Sequence, residues 1–274
     1  MISIGINYSQ MHDSSACIAR DGEVLFAIAE ERLSRVKQDA GFPVRAIRAC
    51  LEFANVGAED IDYVCQGWPE SGAILRHDLK NFVTGRQPIE ANSVVSSVRS
   101  FARMWSLGTG AGPFRAHFKA PKAQFKFIPH HLAHAISTYA YSGFEPSAIL
   151  ILDGRGAWEA TSLWSGRNGQ IEHISTVPWP NSLGLFYAKM TEHLGFEPYA
   201  DEWKVMGLAP YGEPGIDLSG FIKIGPSGSY QVPSRLLLGN KDEVRRHFES
   251  ILGPRRVPES EITQHHKNLA FAVG

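Results

Sequence analysis

The chain has 274 residues, 43% of them hydrophobic and 20% charged, with a formal net charge of −1. That length suffices for one large domain or two packed lobes, each with a core of its own. The balance excludes the basic excess of a nucleic-acid binder and the acidic bias of a disordered activator. The longest fully apolar runs, such as Ala148 to Leu152, are far too short to cross a bilayer. The amino terminus enters a strand-like run at once, with no charged leader segment. Cys17, Cys50 and Cys65 show no CxxC spacing and read as buried thiols of a reducing compartment. The expectation is a soluble, cytoplasmic protein with no nucleic-acid or membrane partner.

Ile2 to Asn7 alternates as a strand, and Ala16 to Ala19 is a second short apolar run. Asp21-Gly22 is a hairpin turn signal, after which Val24 to Ala29 predicts a third strand. Beyond Pro43, which suits a helix start, Val44, Ile47, Leu51 and Ala54 recur at helical spacing. Tyr63 to Cys65 predicts a short strand, Glu70 to Gly108 a polar, partly helical stretch, and Gly108 to Gly112 a loop. Gln124 to Ile128 reads as a strand and His130 to Tyr141 as a helix.

The second half opens in the same way. Ala148 to Leu152 predicts a buried strand ending in Asp153-Gly154, followed by a strand over Ala160 to Trp164. An Asn168-Gly169 turn then leads into a strand over Ile171 to Val177 and a helix over Leu183 to Leu194. The order strand, polar loop, strand, tight turn, strand, helix thus occurs twice. It resembles the duplicated α/β lobes of the actin/hexokinase-like (ribonuclease H-like) superfamily. There the two loops after each first strand, here Tyr8 to Ser15 and Asp153 to Trp158, face each other across a cleft. The lobes are expected at 1–146 and 147–274. After Gly212 the glycines and prolines at 215, 220, 225, 226, 228, 233, 254 and 258 predict irregular chain, with helical sequence resuming only at Ile262 to Val273. The second lobe is therefore expected to be incomplete, as in a truncated chain, or a split polypeptide in which a second chain supplies the missing half.

The sharpest chemical signal is His130-His131-Leu132-Ala133-His134. Histidines four apart share one helix face and can bind one ion, and neutral imidazole suits Zn²⁺ or Fe²⁺. Without a further ligand the three histidines serve equally as surface or capping residues. Asp153 would complete a two-histidine, one-carboxylate set with open positions, although Gly154 and Gly156 suit a plain turn there. In the first loop, N–H groups and hydroxyls of Asp13 and Ser14 can cradle an anion and His12 can move a proton; an Asx or Ser turn accounts for them as well. Glu30 to Lys37 is a charge run expected to be solvated, with Lys37 placing one cation near the cleft. Glu202, Lys204, Met206 and Gly207 form a compact block before Pro210, which a tight loop with a core methionine would also explain.

Taken together, HDSSAC, EERLSRVKQDAGFP, HHLAHA, LDGRGAWEAT, SLGLFYAKMTEHLGF, EWKVMGLAPYG and HHKNLAFAVG resemble, in order, the carbamoyltransferase family that includes the nodulation protein and antibiotic-tailoring enzymes. The resemblance covers essentially the whole chain. It implies the actin-like fold shared with threonylcarbamoyl-adenosine synthases. It also implies transfer of a carbamoyl group from a carbamoyl-adenylate, made from carbamoyl phosphate and ATP, to a hydroxyl of a small-molecule or sugar acceptor. The implied metal ligands are His130, His134 and Asp153, with Fe²⁺ preferred and Zn²⁺ the alternative. The implied catalytic residues are His12 and Lys37, and the implied nucleotide contacts are Asp13, Ser14, Gly154, Gly156, Glu202 and Lys204. Two departures stand out: Ala157 occupies the place of a glutamate, and Trp203 intervenes where a glycine is usual. The family's further metal aspartate, the rest of its nucleotide pocket and its YrdC-like domain are expected beyond Gly274. A degenerate, non-catalytic nucleotide- or partner-binding module of the same fold is the alternative. A sugar or acetate kinase gives the histidines no role, and a zinc protease would need the glutamate of HExxH. The acceptor pocket is expected in the Glu70 to Gly112 insertion, with Trp68, Phe82, Phe101 and Trp105 as candidate lining.

Overall fold

The computed structural model describes residues 1–8, 13–69, 76, 80 and 110–274. It divides into two units, Met1–Ser137 and Thr138–Gly274.

The first unit is built on a five-stranded sheet in the order β3-β2-β1-β4-β5. Its strands are β1 (Ile2–Asn7), β2 (Ser15–Arg20), β3 (Glu23–Ala29), β4 (Tyr63–Gln66) and β5 (Gln124–Phe127). The first three form an antiparallel meander, whereas β4 and β5 run parallel to β1. Asp21 and Gly22 close the hairpin with φ of 53° and 90°, the pair of positive values that a two-residue turn matching the strand twist requires. Alternation places Ile4, Ile6, Ile18 and Val64 in one core with Ile47, Cys50, Leu51 and Ala54 of α2 (Val44–Ala54). Pro43 is the cap residue of α2 rather than its first residue.

Glu30 departs from the expected solvated charge run. It starts a short helix, α1 (Glu30–Ser34), and is buried, accepting the N–H groups of Arg45 (3.2 Å) and Ala46 (2.7 Å). Its carboxylate thereby satisfies the otherwise orphaned donors at the start of α2 and complements the helix dipole. The expected loop up to Gly112 gives way to α3 (Ala111–His117), whose Phe114 enters the core. Most of the 70–112 insertion, including Phe82, Phe101 and Trp105, lies outside the described residues.

The unit boundary falls within α4 (His130–Ser142). The second unit carries an antiparallel sheet, β6-β7-β8, of β6 (Ser147–Gly156), β7 (Glu159–Arg167) and β8 (Gln170–Pro178). Asn168 and Gly169 close its second hairpin with φ of 53° and 70°. β6 was expected to be buried throughout and to end at Asp153. It is half-buried and longer: Ile149 and Ile151 point inward, while Leu150 and Leu152 are 59% and 55% exposed, and a register shift precedes Gly156. The α/β class and the repeat of three strands then helix are as expected.

The irregular chain expected after Gly212 is also partly helical. After α5 (Leu183–His193) and α6 (Glu202–Leu208) come α7 (Ser234–Leu238), α8 (Lys241–Leu252) and α9 (Gln264–Val273). Asn240 caps α8 by accepting from Asp242 and Glu243 N–H, and Val244, Phe248 and Leu252 line its buried face. With Phe186, Met190, Phe221 and Leu269 they give this unit a core of its own. Met206 is 64% exposed on α6, so the alternative of a tight loop with a core methionine does not hold. Among the described residues no helix is long and apolar enough to cross a membrane.

Candidate metal centre

In the first unit the carboxyl ends of the parallel strands β1, β4 and β5 lead into Tyr8, Gly67 and the start of α4. Ligand sites of α/β sheets form outside such strand ends. Gln66 ties this edge together: its amide donates to the Tyr8 carbonyl (3.0 Å), and its Oε1 accepts Gly110 N–H (3.1 Å). Helix α4 buries His131 and Ala135, four residues apart. That register places His130 and His134, one residue earlier in each case, together on the adjoining face.

The two rings meet edge to face, with centroids 4.5 Å apart and the two Nε2 atoms 3.0 Å apart. His130 Nδ1 lies 2.8 Å from the Gly67 carbonyl. A carbonyl only accepts, so this contact puts the proton on Nδ1 and the lone pair of the neutral ring on Nε2. The Trp68 edge supports the same ring at 4.8 Å. Gly67 allows this approach, since a Cβ there would sit 3.3 Å from that of Ala133. The arrangement fits a divalent ion. Two nitrogens bound at about 2.1 Å and at a right angle stand roughly 3 Å apart, against roughly 3.4 Å for a tetrahedral pair. The same separation also suits a hydrogen bond between the rings in the absence of an ion. A backbone carbonyl on the far nitrogen is the usual partner of a metal-bound imidazole.

Asp153 is held in the second unit by groups that the sequence did not single out. Ser182, the fully buried cap of α5, donates its hydroxyl to the Asp153 carbonyl (2.8 Å) and accepts Leu185 N–H (3.0 Å). Gly184 lets the first turn of α5 press on this strand: a Cβ there would lie 2.9 Å from Gly154 N and 3.0 Å from the Asp153 carbonyl carbon. Asp153 Oδ1 accepts Arg155 N–H at 3.3 Å. Arg155 reaches the Ala157 carbonyl (3.2 Å) and lies over the Trp179 ring at 4.4 Å. Gly154 faces Leu185, and Gly156 pairs with Glu159 across the turn in which Ala157 takes a φ of 68°. Ser182 could have been found as a serine directly before an apolar helical run; Gly67 carries no local signal.

Of the remaining expected residues, His12 lies outside the described residues. Asp13 is exposed, and its carbonyl accepts from the Asn7 side chain (2.6 Å). Ser14 is 1% exposed. Its N–H donates to the Asp39 carbonyl (2.8 Å), which draws the segment bearing the exposed Lys37 to the end of the first loop. Hydrogen bonds from Ser34 and Gly41 hold the Asp39 carboxyl below its ordinary range. In the second unit Glu202 accepts Tyr199 N–H (2.6 Å), and Lys204 pairs with Asp201 (2.9 Å) beside the Phe196 and Trp203 rings.

The profile of the family described as "Carbamoyltransferase N-terminus" matches residues 3–270. The chain belongs to that family. Among curated relatives of this carbamoyltransferase-family chain, nodulation protein NolNO of Sinorhizobium fredii is 34% identical over 99% of the chain and 37% of its own length. An uncharacterized protein of Synechocystis sp. is 31% identical over 96% of the chain and 44% of its own length. The chain thus spans about two fifths of the length of these relatives. Among solved structures, YeaZ from Pseudomonas aeruginosa is 16% identical, covering 66% of this chain and 68% of its own, with a TM-score of 0.35. Component A of (R)-2-hydroxyglutaryl-CoA dehydratase from Acidaminococcus fermentans is 13% identical, covering 100% and 96%, with a TM-score of 0.36.

Proposed function

We propose that this chain forms the acceptor-side part of an ATP-dependent O-carbamoyltransferase, in which His130, His134 and Asp153 hold one divalent ion. The observation that carries this reading is the convergence of the two imidazole nitrogens at 3.0 Å, with the far nitrogen of His130 fixed on the Gly67 carbonyl. Membership of a carbamoyltransferase family supplies the reaction class. Two imidazoles and one carboxylate with open positions suit Fe²⁺, with Zn²⁺ as the alternative. When bound, the ion would supply Lewis acidity toward phosphate and carbamoyl oxygens.

The chain's own residues then take the other roles. His12 accepts the proton of the acceptor hydroxyl as its oxygen bonds to the carbamoyl carbon. The bond from that carbon to the adenylate oxygen breaks, and AMP leaves. Lys37 offsets the negative charge of the adenylate. Asp13, Ser14, Gly154, Gly156, Glu202 and Lys204 are assigned to its nucleotide part. The acceptor is a small molecule or a sugar, the adenylate derives from carbamoyl phosphate and ATP, and further polypeptide supplies that first half-reaction.

Elemental analysis and calorimetric Fe²⁺ titration of the chain test this reading. We expect one ion per chain, lost in His130→Ala/His134→Ala and weakened at least tenfold in Asp153→Asn. Unchanged metal content in all three proteins rejects the site. The buried Ala157, standing where the family has a glutamate, favours a second reading, a binding module without turnover. Stoichiometric metal without carbamoyl transfer, once the remaining segments are supplied, would select that reading.

A further inference from the structure

A basic cleft lies in the second unit, lined by residues that the metal-centre reading leaves unused. Its interior volume is about 30 Å³, room for one or two water-sized groups below an open mouth. One wall is the last turn of α5, where Lys189, Glu192 and His193 share a face at i, i+3 and i+4. The other is the first two turns of α8, with Lys241 and Arg245 flanking Val244 and Phe248. Arg255 closes one end, so four cations face a single carboxylate within the lining.

Three features make this a built site rather than a chance surface cluster. First, Arg255 is carried by a fixed neighbour. The Arg256 backbone N–H donates to the His193 carbonyl (3.0 Å), and its buried guanidinium donates to the carbonyls of Leu194 and Ser260 and lies over Phe196. Gly195, at φ +76°, is what permits that approach, because a Cβ there would meet the Arg256 carbonyl oxygen at 2.8 Å. Second, His193 is 4% exposed, and its Nε2 finds no hydrogen-bond partner among the described residues. Burial, aided by Arg255, holds its pKa down to about 4, although Glu249 opposes the shift. The ring is therefore neutral near pH 7 and sits behind the cations with its Nε2 closed to solvent. Third, the amino-terminal end of α8 opens beside the cleft. Asn240 already engages the N–H groups of Asp242 and Glu243, so the helix contributes its positive end as a field.

Charge already present narrows the occupant. Glu192 engages Lys189 (3.2 Å) and Arg255 (3.5 Å), and Asp242 stands 3.6 Å from Arg245. Asp242 offsets part of the Arg245 charge, and Lys241 adds a further cation on the same helix. We propose that this cleft is a binding site for a small phosphate-bearing ligand, gripped by Lys241, Arg245 and Arg255 with the neutral His193 behind them. The guanidinium groups match phosphate geometry, and a compact dianion uses several cations at once.

Calorimetric titration of the chain with inorganic phosphate, at ionic strength held constant with chloride, tests the proposal. Wild type should take up one phosphate per chain saturably. Lys241→Gln/Arg245→Gln, at two exposed positions, should weaken binding at least tenfold. Arg167→Gln/Lys223→Gln, an equal charge loss elsewhere, should leave it unchanged. His130→Ala/His134→Ala should bind phosphate as wild type does, which separates this site from the metal centre. No saturable uptake by wild type overturns the proposal, as does equal weakening in the two charge variants. Acetate binding as tightly as phosphate overturns the phosphate assignment.

Discussion

The two units build the same three-stranded meander and finish it differently. Both begin with a strand of alternating burial, and both close a hairpin with a residue pair of positive φ, Asp21-Gly22 in one and Asn168-Gly169 in the other. In the first unit β1 also pairs with β4, and beside the buried Ile4 and Ile6 its other face carries the small residues Ser3 and Gly5. In the second, β6 pairs with β7 among the described residues, and its other face carries the exposed Leu150 and Leu152. Local alternation and turn chemistry thus specify the meander, whereas what lies along the free edge of the first strand decides how much of its apolar surface leaves water.

The largest test of this contrast uses glycine. Gly184→Val should destabilise the second unit by about 4 kcal/mol or more, because its Cβ meets the Asp153–Gly154 backbone, which cannot rotate away. Gly5→Ala in the first meander should cost only about 1 kcal/mol, since its Cβ at 2.6 Å meets the thiol of Cys17, which can turn. Urea unfolding measures both, and equal losses would show that the two units do not differ in this respect. Next come the two faces of β6. Ile149→Ala should cost about 3 kcal/mol, and Leu150→Ala less than about 0.5 kcal/mol. Comparable costs would mean that Leu150 is covered in solution.

A further effect is a pH dependence seated in the second unit. The folded pKa of His193 lies below its unfolded value, so between pH 6.5 and about 4 the unfolded chain binds the proton first. Stability is therefore complete above that window and falls as pH drops through it, by about 3 kcal/mol at most. His266, also lowered by burial, acts in the same direction. Melting temperatures across this range should show a shallower acid slope in His193→Phe; an unchanged slope would assign the acid sensitivity to other groups.

What could be read in the sequence follows the reach of each interaction. The strands and both hairpins were legible, because alternation and Asp-Gly or Asn-Gly turns act over a few residues. The His130–His134 pair was legible because four residues along a helix is a local relation. Helix α8 was obscured by the glycines and prolines flanking it, although Val244, Phe248 and Leu252 repeat at helical spacing. Burial of Glu30 depends on where α2 begins, since its partner Arg45 lies fifteen residues later. The hold of Ser182 on Asp153, the approach allowed by Gly67 and the basic cleft all depend on contacts between distant segments, which no local pattern records.

Helix α5 has a further consequence. Its first turn is keyed to Asp153 through the Ser182 hydroxyl and the close seat of Gly184, and its last turn carries Glu192 and His193 at the edge of the basic cleft. Eleven residues at a helical rise make a stiff rod of about 16 Å between the two places. Rods transmit displacement along their axis with little loss, because their hydrogen-bond ladder resists compression. Any lengthwise shift of α5 would carry the Asp153 backbone with it, because the Ser182 hydroxyl and the Gly184 seat tie the two.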